Sequence, residues 1–515
     1  MATWEHGSFL LSAAPGAGKT IPSLVFARRL LDAGTIARVY VVCPTAPLTR
    51  QWAEAAGRLG VQLAPDAEEL LAPRDFHGVA VTYARAAQSA ARWAGQCGER
   101  TLVIADEAHH LGEELAWGEG FARSFAATKR WLLLSGTPFR SDGSPIAGVR
   151  YDDGVAVPDV SYSYADAVRD GICRPVVFVP YDGTLSWQSG DDVIESSFAD
   201  AALTRREASR RYRTAISTEF ADGLPRILRA ADERLGVIRS GGHREAGGLV
   251  VTADGGHARR VAALLKEITG RAPTVVVHTD AQAAAKLRAF GIGRERWIVA
   301  VNMVSEGVDI PRLRVGVYAT AAKTPLVFRQ IVGRFVRTLP GPPEHSYLFL
   351  PADGLLRIHA AEVEEELHHV LRAPGEEPPE AFEPVERRRS EPAETEPFVP
   401  LNADVAPQLA LFGGGAPPPA ATTAPRATAA PAPAPGAAEE PVFHRRRRLR
   451  DKRHGLVVAL AGFEGRSHRD INSWLNREVG AAGVREASIE QLERAIELLQ
   501  ARLERIGRRR ASRAS

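Results

Sequence analysis

Near its start, between an apolar run and a helical pattern, the chain carries Ala13-Ala14-Pro15-Gly16-Ala17-Gly18-Lys19-Thr20, and no other stretch restricts the fold as much. Glycines in such a run let backbone N–H groups turn toward a phosphate, and a helix that opens at once adds the positive potential of its N-terminus. Pro15, Gly16, Ala17 and Gly18 would form the cradle. Lys19 could reach the β- and γ-phosphates of a nucleotide such as ATP, and the Thr20 hydroxyl could ligate Mg²⁺. The pattern asks for glycine where Ala13 stands, a departure.

Asp106-Glu107-Ala108-His109 follows the apolar run Leu102-Val103-Ile104. Two adjacent carboxylates at a strand end, downstream of a phosphate cradle, can divide labour. Asp106 would hold the Mg²⁺ shell, and Glu107 would orient or deprotonate an attacking water. His109 and His110 make a poor metal site, because no cysteine or third ligand accompanies them.

From Ser8 to about Leu350 short β-branched runs alternate with helical patterns. Phe9–Leu11, Val39–Val42, Val79–Val81, Leu102–Ile104 and Trp131–Leu134 read as buried strands, and so, after a polar break, do Leu249–Val251, Val275–Val277, Ile298–Val301 and Tyr347–Leu350. Continuous apolar strands between helices mean parallel sheets covered on both faces. The fold class expected is therefore α/β, with two tandem parallel-sheet lobes at 1–145 and 146–370. Helices are expected within Ser196–Arg239. A Pro/Ala-rich linker is expected at 371–444, and a small basic helical module at 445–515.

These residues resemble the superfamily 2 helicases and translocases of the DEAH-box type, over roughly Ser8–Pro351, a resemblance that implies RecA-like lobes. Cys43-Pro44-Thr45 with Gln51-Trp52 looks like that family's motif Ia, and Ser135-Gly136-Thr137-Pro138 like motif III. Val251-Thr252-Ala253-Asp254 stands where motif IV belongs. Ser305-Glu306-Gly307-Val308-Asp309 resembles motif V, and Gln330-Ile331-Val332-Gly333-Arg334-Phe335-Val336-Arg337 fits motif VI throughout. The resemblance implies coupling roles for His109, Ser135 and Thr137, and nucleotide contacts for Gly307 and Asp309. It implies catalytic roles for Gln330, Arg334 and Arg337, the two arginines reaching the γ-phosphate from the second lobe. It also implies nucleic-acid contacts for Pro44, Thr45, Thr252 and Ser305. Hydrolysis would then require closure of the cleft between the lobes.

The activity so implied is that of an NTP-dependent helicase or translocase using ATP and Mg²⁺. Phe335-Val336 in motif VI, the SGTP form of motif III and the lack of an evident upstream Gln motif favour DNA over RNA. Two alternatives remain: the motor subunit of a restriction or defence complex, and a nucleotide-switched clamp that does not unwind. The P-loop strand starts near Ser8, and no glutamine precedes Gln51. In families of this kind an upstream helix supplies a glutamine and an aromatic contact to adenine. The chain is therefore expected to begin too late or to lack a piece, and to discriminate poorly among the four nucleotides.

Charge is divided along the chain. Ala361–Glu440 holds 15 acidic and 5 basic residues, a net of −10, and Pro441–Ser515 holds 18 basic and 9 acidic, a net of +9. A basic tail after an acidic spacer is a candidate nucleic-acid contact, with Arg445–Arg448 and Arg508–Arg510 as its cations. In that tail Ser467 precedes a helical pattern, and Ser488 with Gln491 forms a capping box. Ile489, Leu492, Ile496, Leu499, Leu503 and Ile506 follow as an apolar stripe. Three uses are open for Ser488–Ile506: burial within a small domain, self-association as a coiled coil, or docking to a protein partner. Three cysteines exclude a disulfide scaffold, and no apolar run reaches the roughly 18 residues of a membrane span. A cytoplasmic location without membrane contact is expected.

Overall fold

The computed structural model describes residues 7–65, 74–112, 115–136, 146–152, 155–189, 192–200, 203–277, 280, 282–301, 310–338, 345–371, 399–408 and 440–514. Contacts divide the chain into two units. One is Met1–Ser12 with Gly18–Ser161 and Ala427–Ser515, and the other is Ala13–Ala17 with Tyr162–Arg426.

The first unit opens with β1 (Gly7–Ala13), α1 (Thr20–Asp32), β2 (Arg38–Cys43), α2 (Ala46–Arg58) and β3 (Leu63–Pro65). It continues through β4 (Gly78–Thr82), α3 (Tyr83–Gln88), α4 (Ala90–Ala94), β5 (Thr101–Asp106), α5 (Leu115–Phe125) and β6 (Arg130–Ser135). Two short strands, β7 (Tyr151–Asp152) and β8 (Val155–Ala156), precede β9 (Val160–Tyr162). The main sheet runs β3-β4-β2-β5-β6-β1-β9, and its pairings from β3 to β1 are parallel. Val39, Val41, Val42, Leu102–Ala105 and Leu132–Leu134 are all buried, as a sheet with both faces covered requires.

The boundary expected at 145 falls too early. Asp159 exchanges hydrogen bonds with Leu10, its N–H donating to the Leu10 carbonyl at 2.9 Å and its carboxylate accepting the Leu10 N–H at 2.7 Å. This brings β9 to the sheet edge beside β1, and the first lobe reaches Ser161. A three-residue strand with two exposed residues leaves no apolar run to read.

The second unit begins with α6 (Tyr164–Arg169), β10 (Val176–Ser189), β11 (Asp192–Ser196), α7 (Arg205–Ala215), α8 (Leu224–Ser240) and β12 (Gly247–Thr252). Then come α9 (Gly255–Thr269), β13 (Thr274–Val276), α10 (Ala283–Ile292), β14 (Trp297–Val301), β15 (Leu313–Ala319), α11 (Pro325–Val332), β16 (Ser346–Pro351), α12 (Gly354–Leu371) and β17 (Val399–Pro407). The sheet order is β11-β10-β16-β15-β12-β14-β13, with β17 added on β10. The strands from β10 through β16, β15, β12 and β14 to β13 pair in parallel, whereas β11 and β17 are antiparallel to β10. Two parallel-sheet α/β lobes are thus the architecture, as expected.

Strand β17 lies inside the span expected to be linker, which corrects that reading. Ala403 and Val405 alternate into the core, the Val405 N–H donates to the Asp222 carbonyl at 2.9 Å, and Asp404 pairs with Arg226 at 2.6 Å. Two inward residues among prolines and alanines are too short an alternation to stand out in sequence.

The C-terminal helices α13 (Val442–Glu464), α14 (His468–Val479) and α15 (Ile489–Ala514) form the module. Ser467 caps α14, its hydroxyl accepting the Asp470 N–H at 3.1 Å. Ser488 and Gln491 exchange the two bonds of a capping box. Leu492, Ile496 and Leu499 are buried, and Leu503 and Ile506 pack against Val457, Leu460, Ile471 and Leu475. The stripe is therefore largely covered by its own chain, the first of the three uses left open for Ser488–Ile506.

The module also packs on the first lobe instead of standing apart. Pro441 lies against Gly57 of α2, Val442 and Phe443 join the lobe core, and the Ile489 N–H donates to Asp75 at 2.9 Å. Arg446 is buried, lies 5.7 Å from the Phe76 ring centroid, and donates to the carbonyls of Ala487 (3.1 Å) and Arg485. Arg446→Ala leaves the Ala487 carbonyl without this donor, while the Arg485 carbonyl keeps its bond from Arg450 at 2.6 Å, and should destabilise the module by about 1–3 kcal/mol. Hydrogen exchange at the start of α15 measures this, and unchanged protection there would contradict it. Among the described residues no helix is long and apolar enough to cross a membrane.

Candidate nucleotide site

The P-loop turns where its glycines allow. Gly16 and Gly18 take φ of +87° and +85°, in the left-handed region that favours glycine. The turn is closed by the Ala17 N–H donating to the Ala14 carbonyl at 3.0 Å. Ala13 ends β1 in ordinary strand geometry, so the missing first glycine carries no backbone penalty. Thr20 is the first residue of α1, whose unpaired N–H groups face the turn.

Strand β5 ends at Asp106, and Glu107 follows at φ +51°, the one non-glycine residue with positive φ among those described. A residue held there costs of order 1–3 kcal/mol and persists only where its surroundings fix it. The Lys19 Nζ donates to Glu107 Oε1 at 3.1 Å, and the His110 N–H donates to the Glu107 carbonyl at 3.0 Å. The other oxygen, Oε2, lies 3.5 Å from Nδ1 of His109, and the same nitrogen lies 3.4 Å from Ser135 Oγ at the end of β6. Lys19, Glu107, His109 and Ser135 thus form one continuous chain of polar contacts from the P-loop helix to the third motif.

Asp106 is buried and held from two sides. The Trp52 indole N–H donates to its Oδ2 at 2.7 Å, and the Tyr83 hydroxyl donates to its carbonyl at 2.7 Å. Burial and the adjacent Glu107 carboxylate raise the Asp106 carboxyl above the usual range. Burial alone would raise Glu107 too, but Lys19 and His109 outweigh it and hold Glu107 low. A hydroxyl at Thr20 and a carboxylate at Asp106 are the sparse donor set that Mg²⁺ takes when phosphates and waters complete its shell. A divalent cation beside Asp106 would offset the repulsion between the paired carboxylates. The residues fit the ion.

Sequence reasoning placed Trp52 in a motif and did not single out Tyr83. Their partner lies 54 and 23 residues away, and no local signal marks that pairing. Thr45 precedes α2 in extended conformation, and its Oγ1 is buried without a hydrogen-bond partner, beside helix N–H groups that it does not cap. Pro44 occupies the bend before it. Thr137, Ser305, Gly307 and Asp309 lie outside the described residues.

In the second unit Thr252 does not suit the nucleic-acid role expected of it. The side chain is fully buried, and its hydroxyl donates to the Ala300 carbonyl at 3.1 Å, joining β12 to β14. Gln330 lies on the last turn of α11, and Arg334 and Arg337 follow its C-terminus. Phe335 and Val336 are buried between the two arginines. The backbone there is pinned by Ser346 Oγ donating to the Phe335 carbonyl at 2.7 Å, by the Arg174 N–H donating to the Val336 carbonyl at 2.6 Å, and by a β-bridge from Arg337 to Cys173.

Residues 3–140 match the family described as "Type III restriction enzyme, res subunit", a domain of the helicase superfamily 2 type. The chain is 40% identical over 421 residues to "Uncharacterized protein Rv2917" of Mycobacterium tuberculosis, covering 79% of this chain and 69% of that one. A second relative, from Mycobacterium leprae, is 39% identical over 420 residues, covering 79% and 70%. The chain belongs to the family of these mycobacterial proteins. Among solved structures it is similar to S. cerevisiae Dbp5 bound to RNA and ADP BeF3 (12% identity, TM-score 0.45, 70% of this chain and 83% of that one). It is also similar to the Pyrococcus furiosus Hef helicase domain (14% identity, TM-score 0.37, 71% and 96%).

Proposed function

We propose that the protein is an ATP-driven motor on nucleic acid, of the DEAH-box kind, that translocates on DNA. The observation that carries this reading is the contact chain from Lys19 through Glu107 and His109 to Ser135. It joins the group that meets phosphate, the group that meets water and the motif expected to sense the strand. In the proposed mechanism Lys19 exchanges Glu107 for the β/γ-phosphates, which leaves the ionised Glu107 carboxylate to orient and deprotonate water. Thr20 and Asp106 would hold Mg²⁺, which when bound would supply positive charge to offset that of the phosphates. Arg334 and Arg337 stabilise the charge that develops on the γ-phosphoryl group.

Thr45 supports a strand-binding role for the start of α2, since a buried unpaired hydroxyl beside helix N–H groups suits a backbone phosphate. In the C-terminal module the exposed cations are fewer than the sequence suggests. Arg446 is buried, and Arg445 and Arg448 pair with Glu493 and Glu440. Arg447 is exposed. Arg447→Ala should lower the slope of log K against log salt by about 1, whereas Arg446→Ala should act through module stability. Equal slopes for Arg447→Ala and the parent protein would remove the module from the DNA contact.

A second reading, the motor subunit of a restriction complex, is favoured by the family match over residues 3–140. Triplex displacement beside strand displacement, each on DNA and on RNA, tests both. Displacement of a triplex strand without duplex unwinding supports a DNA translocase. Activity on RNA alone overturns the DNA assignment, and ATP-dependent binding without either displacement supports a clamp.

A further inference from the structure

Helix α11 is entered through Thr320–Thr324, and three carbonyls of this short loop are each held by a side chain from a different element. The Tyr212 hydroxyl of α7 donates to the Thr320 carbonyl at 2.8 Å, and the Tyr318 hydroxyl of β15 donates to that of Ala322. Nε2 of His359, on α12, lies 3.2 Å from the Lys323 carbonyl and must carry the proton for that bond. The Lys323 ammonium meets Asp353 Oδ2 at 2.9 Å and lies 4.3 Å from the Tyr212 ring centroid. The Leu355 N–H holds the second Asp353 oxygen at 3.2 Å.

Tyr212, Tyr318, Thr320, Asp353 and His359 are all buried. On the helix itself Phe328 sits among Phe178, Tyr318 and His359, at centroid distances of 5.7, 6.0 and 5.6 Å. Loops ordinarily run over the surface with water satisfying their carbonyls. Here two hydroxyls and an imidazole are buried to do so, with the Lys323–Asp353 pair beside them, and such groups are costly to bury unless they are bonded. Such fastening leaves α11 little freedom to tilt or slide relative to β15 and β16.

We propose that Tyr212, His359 and the Lys323–Asp353 pair are positioning residues for turnover, fixing the main chain from which α11 delivers Gln330, Arg334 and Arg337. This rests on the hydrolysis reading above. None of the positioning residues touches the nucleotide. They act by holding the entry to α11 still, so that the arginines meet the γ-phosphoryl group in one geometry.

The test uses the full chain and conservative changes. Tyr212→Phe removes only the hydroxyl, and Lys323→Met only the charge. Each should lower kcat for ATP by about 10- to 100-fold while KM stays within about twofold, as expected when alignment is lost but binding is kept. His359→Gln keeps an N–H donor for the Lys323 carbonyl and should retain turnover that His359→Leu loses. In an Arg337→Ala background, read by single-turnover hydrolysis, Tyr212→Phe should lower the rate by a clearly smaller factor than in the parent, because one of the three groups it positions is gone. Unchanged kcat in both Tyr212→Phe and Lys323→Met overturns the proposal. A loss of the same size with Arg337 already removed also overturns it, since the effect would then be general destabilisation. Parent protein without any hydrolysis overturns the hydrolysis reading and this proposal together.

Discussion

Lys19→Ala and Glu107→Gln are both expected to abolish ATP turnover, by at least about 10³-fold, and to differ sharply in binding. Removing Lys19 takes away the cation that meets the phosphates, and it also strips Glu107 of its partner at 3.1 Å. Nucleotide affinity should fall with turnover. Glutamine at 107 keeps the size of the side chain and can hold the same backbone conformation, but it accepts no proton from water. That variant should bind ATP at least as well as the parent and accumulate the ATP-bound form. Titration with a fluorescent ATP analogue separates the two, and equal losses of affinity would contradict the division of roles.

Arg337→Ala is expected to produce the next largest effect, a fall in kcat of about 10³-fold with ATP affinity little changed. Its backbone is bridged to Cys173, and its neighbours Phe335 and Val336 are buried, so the truncation leaves the local fold intact. Thermal melting of the variant should match the parent. A loss of ATP affinity as large as the loss of kcat would assign Arg337 to ground-state binding instead of the developing charge.

What could be read from the sequence follows the physics of each element. Strands β2, β5 and β6 are apolar at successive positions because both sheet faces are covered, and they stand out. Strand β15 escaped because Arg314 and Gly316 interrupt Leu313–Ala319. Gly316 is required there, since a Cβ would lie 2.4 Å from the Phe335 ring. Antiparallel β11 and β17 are largely exposed, with alternations of only a few residues, and β10, though mostly buried, is broken in sequence by Pro180, Asp182 and Gly183.

The same division holds at the site. Contiguous motifs were legible because one turn or one strand end needs their residue types in order. The groups that orient those motifs were not, because Trp52 and Tyr83 reach Asp106 only through the packing of α2 and α3 against the sheet. Thr252 shows the converse. A polar residue at the expected place in a motif can still have its hydroxyl bonded to a neighbouring strand.

Steady-state phosphate release from ATP, measured without nucleic acid and with single- and double-stranded DNA, tests the central claim most directly. A motor that couples Lys19, Glu107, His109 and Ser135 to a bound strand should hydrolyse ATP slowly alone and about tenfold or more faster with DNA, and Glu107→Gln should abolish both rates. Hydrolysis indifferent to DNA and to RNA alike, or hydrolysis that survives Glu107→Gln, would contradict the account.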